Sequence, residues 1–331
     1  MWKTLGFIQR NLVWSIPACM VAGILVGAVI DPLPLKALII PLTFLMVYPM
    51  MINLQLQTVL SGGDYQVQLL TQVINFGLIP FFAFGLGKVF FADQPLIALG
   101  LLLASLLPTS GMTISWTGFA KGNISAAIKM TVIGLVLGSL LTPLYAQWLM
   151  GTAVEIPLAS VFRQIIIIVF LPMILGFVTR VSLIQIVGVD KYQKSLKQKF
   201  PVFSTLGVLG IVFVAMALKA KDILSNPLML LSFLIPLALL YVGNFLFSTL
   251  VGKFFFDRGN AIALVYGTVM RNLSIALAIA MTAFGKEQGS EIALIIAMAY
   301  IIQVQAAAWY VRFTDRIFGS APKPEPSLKQ S

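Results

Sequence analysis

The sequence contains no histidine and a single cysteine, Cys19. Serine–histidine–aspartate and cysteine–histidine nucleophiles, disulfides and metal sites built on His or Cys are therefore excluded by counting. Charge is almost as scarce, with 22 Lys and Arg and 11 Asp and Glu making up 10% of 331 residues, against roughly 25% in a soluble domain. So few charged side chains do not cover a water-facing surface. What is there instead is apolar, 59% of the chain, and that composition points to lipid. The net charge of +11 would suggest nucleic acid in a soluble protein, but Lys and Arg gather in the cytoplasmic loops of membrane proteins. No nucleic-acid partner is expected.

A spanning helix needs about 20 largely apolar residues. Ten segments meet that length, at approximately 12–30, 36–56, 68–91, 96–118, 124–149, 158–182, 201–220, 227–252, 260–284 and 291–312. The first, Leu12 to Ile30, follows Lys3 and Arg10 as a signal peptide would, yet exceeds an h-region of roughly 7–15 residues and reads as a spanning helix. With the N-terminus inside, fourteen Lys and Arg fall on the cytoplasmic side and six on the other. Both termini are therefore expected in the cytoplasm of a multi-pass protein of the cell (inner or plasma) membrane. The segment from Ser182 to Phe200 holds four lysines; it reads either as the basic loop that fixes topology or as a surface for anionic headgroups.

Five segments lie in 1–155 and five in 156–317, followed by a polar, proline-rich tail over 318–331 that reads as disordered. An odd number of spans per half makes the halves enter the membrane from opposite sides. If they share a fold, they form an inverted repeat, as in many secondary transporters. The fold class expected is an all-α integral membrane protein of ten helices in two inverted five-helix repeats. In the fourth helix of each half a polar, glycine-containing stretch interrupts the apolar pattern: Pro108 to Thr113, and Gly267 to Asn272. Proline removes a helical hydrogen bond and glycine weakens the helix by about 1 kcal/mol relative to alanine. Each stretch reads as a Pro kink or as a true break, and matching positions favour breaks that line a binding site.

All eleven acidic residues fall in loops or at helix ends, whereas Lys129 lies about six residues into the fifth segment and Arg271 near the middle of the ninth. An ionised side chain at that depth costs at least about 2.5 kcal/mol and takes a partner. With no buried acid in view, backbone carbonyls or an anionic ligand are the expected partners, and Lys129 could alternatively snorkel to the interface. The expected substrate-binding residues are Thr109, Ser110, Gly111, Thr113, Met270, Arg271, Asn272 and Ser274, with Lys129, Arg271 and Thr131 as cation-substituting or coupling residues. No cofactor or metal is expected.

At these residues the chain resembles the bile acid:sodium symporter superfamily over nearly its whole length. PTSGMTISWTGFAKGN, Pro108 to Asn123, is similar to that superfamily's fourth-helix motif, while LMVYPMM (Leu45 to Met51) and LSIALAIAMTAFG (Leu273 to Gly285) look closer to its arsenical-resistance permease branch. The resemblance implies a core domain with two crossing unwound helices, a smaller panel domain, and an elevator-like alternating access. It departs where chemistry is expected. Permeases of that branch carry a cysteine where Thr109 stands and a glutamate at Ile275 or Ala276, depending on register. The sodium-site positions of coupled members fall on Thr113, Ile114, Ala127, Thr131 and Gly267 to Arg271, most of which cannot coordinate an ion.

The expected function is secondary transport of a small, anionic solute without strict sodium dependence. Two transporter alternatives stand beside it: arsenite or antimonite efflux through an atypical site, and sodium-coupled organic-anion symport. A membrane-embedded enzyme lacks the His, midplane acid or metal cluster it would need. The sequence leaves a homodimer open.

Overall fold

The computed structural model describes residues 11–55, 57–58 and 63–320. Met1 to Arg10 and the proline-rich tail beyond residue 320 lie outside the described residues. Fourteen helices of eight residues or more make up most of the described chain: α1 Leu12–Val29, α2 Ile39–Ile52, α3 Tyr65–Gly77, α4 Ile79–Phe90, α5 Pro95–Leu106, α6 Gly111–Phe119, α7 Ile124–Met150, α8 Leu158–Ile165, α9 Leu171–Val187, α10 Phe200–Leu218, α11 Leu234–Phe255, α12 Arg258–Val269, α13 Leu273–Ala283 and α14 Lys286–Val311. Among the described residues no strand forms beyond one isolated antiparallel bridge between Pro108 and Arg271.

Seven helical stretches among the described residues are long and apolar enough to cross a membrane: Leu33–Ile52, Tyr65–Phe90, Ile124–Met150, Leu158–Val187, Val189–Leu218, Leu228–Phe255 and Glu287–Val311. Three shorter apolar helices, Trp14–Val29, Pro95–Leu106 and Leu273–Ala283, accompany them. Each of the ten expected segments falls mainly on helix, with 68–91 divided at Leu78 between α3 and α4, but two are broken by several non-helical residues: 96–118 into α5 and α6, and 260–284 into α12 and α13. The segment at 158–182 runs on to Val187 through a wider turn at Ile166–Phe170. Pro172 explains that turn, because its ring and missing N–H disrupt the preceding helical hydrogen bonds.

The outer surface is apolar where a soluble protein would be charged. On α11, Ile235, Leu239, Val242, Leu246 and Leu250 form one exposed face. Their spacing of three to four residues makes a continuous stripe along the helix, and a contiguous exposed patch of that kind marks a lipid-facing or partner surface. With its backbone bonds closed inside the helix, such a surface is stable in hydrocarbon.

Packing sorts the helices into two groups that cut across the two sequence halves. In one, α10 packs on α1 and α2, and α9 packs on α2; in the other, α3 to α8 pack with α11 to α14. The groups meet where α14 lies against α1 and α10 and where α13 lies against α2. At one end of that seam the Lys219 ammonium, just after α10, sits 3.2 Å from Asp222 Oδ2 and 3.5 Å from Glu291 Oε2 on α14. Elsewhere Arg258, at the start of α12, donates to the carbonyls of Ala120, Lys121 and Gly319 and pairs with Asp315 at 2.5 Å.

Close approach of α1 and α2 to α10 depends on glycine. A Cβ on Gly27 would lie 2.1 Å from the Ala217 carbonyl oxygen, and one on Gly207 would lie 2.4 Å from the Met46 amide nitrogen. Backbone cannot yield as a flexible side chain can. Gly27→Val and Gly207→Val should each destabilise the protein by about 1–3 kcal/mol through overpacking, read as a lowered melting temperature in detergent. Gly85→Ala is the control: a Cβ there meets nothing within 4 Å, so it should leave the melting temperature unchanged or raise it slightly.

Candidate functional site

Both polar interruptions are true breaks, and they meet. α5 stops at Leu106 and α6 begins at Gly111; α12 stops at Val269 and α13 begins at Leu273. The freed backbone groups satisfy one another across the crossing: the Thr109 amide donates to the Met270 carbonyl at 2.7 Å, and the Asn272 amide donates to the Leu107 carbonyl at 2.8 Å. These two rungs flank Pro108, which has no N–H to offer, opposite Arg271.

Each break then restarts a helix with a side-chain cap. Ser110 Oγ accepts from the Met112 amide while Thr113 Oγ1 accepts from the Ser110 amide, a reciprocal capping arrangement at the start of α6. Asn272 Oδ1 accepts from the Ile275 amide at the start of α13. Two capped helix N-termini are thereby brought to one place. Their positive ends favour negative charge.

Thr109 adopts a left-handed backbone, φ 64°, an outlier for a β-branched residue that persists only where surroundings enforce it. The enforcement comes from α7. Thr109 Oγ1 is fully buried near the carbonyls of Met130 and Thr131 and bonds the Pro108 carbonyl at 2.6 Å. Gly134 and Gly138 open the room, since a Cβ on either would come within 3 Å of Thr109 Oγ1 or Pro108 Cδ. Thr131 turns its own hydroxyl to the Ala127 carbonyl. Gly111, by contrast, is exposed and faces open space. Ser274 shares a hydrogen bond with the Tyr300 hydroxyl.

Arg271 is 3% exposed. Its amide donates to Gln303 Oε1 at 2.8 Å and its carbonyl accepts from Gln303 Nε2 at 3.2 Å, so the α14 glutamine acts as a further strand edge beside the break. One guanidinium nitrogen, Nη2, donates to the Thr268 carbonyl. The other, Nη1, is buried with no hydrogen-bond partner, as is Asn272 Nδ2. No carboxylate pairs with Arg271 among the described residues; the ion pairs there involve Lys129, Lys219 and Arg258. A buried guanidinium with an idle donor and no counter-charge is poised for an acceptor or an anion.

Lys129 corrects one expectation. No acid was expected within reach of either deep cation, yet the Lys129 ammonium pairs with Asp64 Oδ2 at 3.3 Å and lies 3.4 Å from the Gly63 carbonyl. Asp64 stands in the loop before α3, and Asn123 Nδ2 donates to its other oxygen. Loop position along the chain says nothing about which way a carboxylate folds back. Lys129 thus has its counter-charge inside the protein and needs no bound anion.

Sequence reading also missed a polar stripe on α3. Gln68, Gln72 and Asn75 recur at i, i+4 and i+7, one face of a helix. Gln68 Nε2 donates to the Ala126 carbonyl and Asn75 Nδ2 to the Gly267 carbonyl, while Gln68 Oε1, Asn75 Oδ1 and both amide atoms of Gln72 are buried without partners. The stripe runs from the Asp64–Lys129 pair to the end of α12. On α11, Asn244 Nδ2 donates to the same Thr268 carbonyl that Arg271 uses, and Ser248 bridges Asn244 Oδ1 and Thr268 Oγ1. Tyr241 completes this side by donating to Gln303 Oε1. Amides repeating every three to four residues in an apolar span are the signal that would have found the stripe.

Among the described residues no group of three or more His, Cys, Asp or Glu could hold a metal ion. Cys19 Sγ donates to the Leu209 carbonyl, placing it between α1 and α10 and away from both breaks.

Residues 40–226 match the sequence model of the Sodium Bile acid symporter family. Over 338 residues the chain is 24% identical to arsenical-resistance protein Acr3 of Alkaliphilus metalliredigens, covering 95% of this chain and 94% of that one. It is 22% identical to Acr3 of Corynebacterium glutamicum over 78% of its length and 72% of the relative's. It is 26% identical to the uncharacterized sodium-dependent transporter YocS of Bacillus subtilis, covering 63% of each. Family and relatives are transporters rather than enzymes. With more than half of the chain matched and its helices apolar enough to span a bilayer, the protein is a multi-pass membrane transporter and belongs to the sodium bile acid symporter family.

Proposed function

We propose that this transporter carries a small anionic solute by alternating access, with its site at the crossing of the two breaks and Arg271 as the charged element. The observation that carries the reading is the buried Arg271 guanidinium, which among the described residues has no partner for Nη1 and no carboxylate paired with it. Ser110, Gly111, Thr113, Met270, Asn272 and Ser274 surround or cap the same crossing, and the two capped helix N-termini add positive potential there. Thr109 contributes by holding the break against α7 rather than by offering a free hydroxyl. Two inverted five-helix repeats, 1–155 and 156–317, with both termini cytoplasmic, supply the symmetry that alternating access requires. The groups formed by α1, α2, α9 and α10 and by the remaining helices serve as the parts that move.

Sodium dependence is not part of this reading. Arg271 Nη2 occupies the Thr268 carbonyl, an oxygen that a bound cation would otherwise use, so a fixed positive charge stands in for a mobile one. Lys129, paired to Asp64, fastens the start of α3 to α7. A second reading, transport of an arsenical, is favoured by the two Acr3 relatives. It has no thiolate to draw on, since Thr109 and the distant Cys19 leave the crossing without sulfur nucleophiles.

A thermal-shift screen of purified protein against small anions and arsenicals chooses between these, because a bound ligand stabilises the native state. An anion-selective shift is expected, and a shift confined to arsenicals would move the conclusion to the second reading. Replacing sodium by choline should leave the ligand affinity within about twofold, a difference well under 1 kcal/mol; abolished binding would contradict the fixed-charge role. Arg271→Gln should weaken binding at least about tenfold, as loss of a charge-assisted hydrogen bond of roughly 1.5–3 kcal/mol implies. Arg271→Lys should restore little, because an ammonium lacks the planar fork. Unchanged affinity in an Arg271→Gln protein of lowered melting temperature would reduce Arg271 to a backbone clamp. For the topology, maleimide labelling of Ser195→Cys in a Cys19→Ser background should occur only from the cytoplasmic side, and labelling in intact cells by an impermeant reagent would reverse the orientation.

A further inference from the structure

A second polar cavity lies away from the crossing, at the ends of α2 and α9 and beside the lysine-rich segment that leads into α10. Its volume is about 190 Å³, and Asn53, Gln55, Arg180, Tyr192, Gln193 and Lys197 line it. Two of these are cations and none is a carboxylate. Two of the cavity's hydrogen bonds run between its own walls: Asn53 Nδ2 donates to the Lys197 carbonyl at 2.9 Å, and the Tyr192 hydroxyl donates to Asn53 Oδ1 at 3.4 Å. They shape the pocket without neutralising it.

The charged ends are largely unspent. Arg180 uses one nitrogen, Nη1, on the Leu54 carbonyl at 3.1 Å. Its Nε and Nη2, and the Lys197 ammonium, make no hydrogen bond or ion pair among the described residues. Two cations sharing one partly desolvated cavity repel each other unless an anion lies between them. A guanidinium fork beside a point-charge ammonium matches a tetrahedral oxyanion, the fork taking two oxygens and the ammonium a third.

We infer that this cavity binds a phosphate group, carried by the headgroup of an anionic lipid. The lipid source is favoured by what adjoins it. Ile184, one turn beyond Arg180 on the same face of α9, lines the cavity, and the outward face of that helix exposes Ile174 and Val178 within two turns of it, an apolar surface on which an acyl chain lies while its headgroup reaches round the helix to the cations. Basic pockets between spanning helices at a membrane face recognise anionic headgroups in this way. Lys191, Lys194 and Lys199 of the same segment raise the local positive potential. This site does not depend on the transport reading of Arg271.

Delipidated protein is tested by native mass spectrometry and thermal shift in micelles carrying phosphatidylglycerol or phosphatidylcholine, and separately with inorganic phosphate at constant ionic strength. Phosphatidylglycerol should be retained and should raise the melting temperature where phosphatidylcholine does not. A shift with inorganic phosphate and none with phosphatidylglycerol would keep the phosphate site and overturn its lipid source. Lys197→Gln should lower phosphatidylglycerol retention about fivefold, the value of one basic contact at a membrane surface, and Arg180→Gln with Lys197→Gln should remove the selectivity. Arg180 also ties the end of α2, so the double variant has a structural cost. Lys197→Gln has none, because its ammonium bonds nothing among the described residues, and its melting temperature in phosphatidylcholine should match the wild type. Equal retention of the two lipids, or undiminished phosphatidylglycerol retention by Lys197→Gln, overturns the inference.

Discussion

Everything at the centre of this protein depends on two backbone hydrogen bonds, Thr109 to Met270 and Asn272 to Leu107. In a bilayer an unsatisfied amide or carbonyl costs several kcal/mol, so a helix interrupted there is stable only if its freed groups find partners. Here each break is the other's partner. Neither α5–α6 nor α12–α13 could be interrupted alone without exposing what the other now satisfies. The interruption is therefore a joint property of two segments about 160 residues apart in sequence, and the side chains at the crossing inherit a fixed geometry from it.

That geometry reaches outward through α7 and α14. Gly134 and Gly138 let α7 approach Pro108 and Thr109 closely, and the approach holds Thr109 in its left-handed conformation. On the other side Gln303 binds both backbone groups of Arg271, so the guanidinium projects from a main chain pinned on both edges. In the proposed anion-binding role, a charge borne on such a frame would lose little conformational freedom when a ligand arrives, which is how preorganised sites spare the entropy of binding.

Much of this was legible in the sequence. Apolar run length located the long apolar helices, because a bilayer sets a length that composition must meet. Pro108 with Gly111, and the polar run ending at Asn272, marked both breaks. What could not be read was pairing. The ion pair between Lys129 and Asp64 closes across 65 positions, and nothing local to either residue announces it. Likewise Gln303 lies in an apolar segment whose pattern is that of an ordinary spanning helix, and only the fold shows that its amide completes the edge at Arg271. The motif points to Thr109 as a substrate-binding residue, whereas the backbone turn it occupies directs its hydroxyl at α7. The division of helices into two groups was hidden for the same reason, since α1 and α2 find their partners in α9 and α10 from the other half of the chain.

In the proposed alternating access, the lysine just after α10 would act as a detent. Lys219 holds Asp222 within its own local segment and Glu291 on the opposing group, and only the second of these contacts spans the seam. Any sliding of one group against the other breaks the pair with Glu291 and leaves the pair with Asp222 in place. The ammonium is then never without a counter-charge, so the cost of release is that of one partly exposed contact rather than of an isolated buried ion. Such a catch resists small displacements and yields to large ones, and it re-engages whenever Glu291 returns.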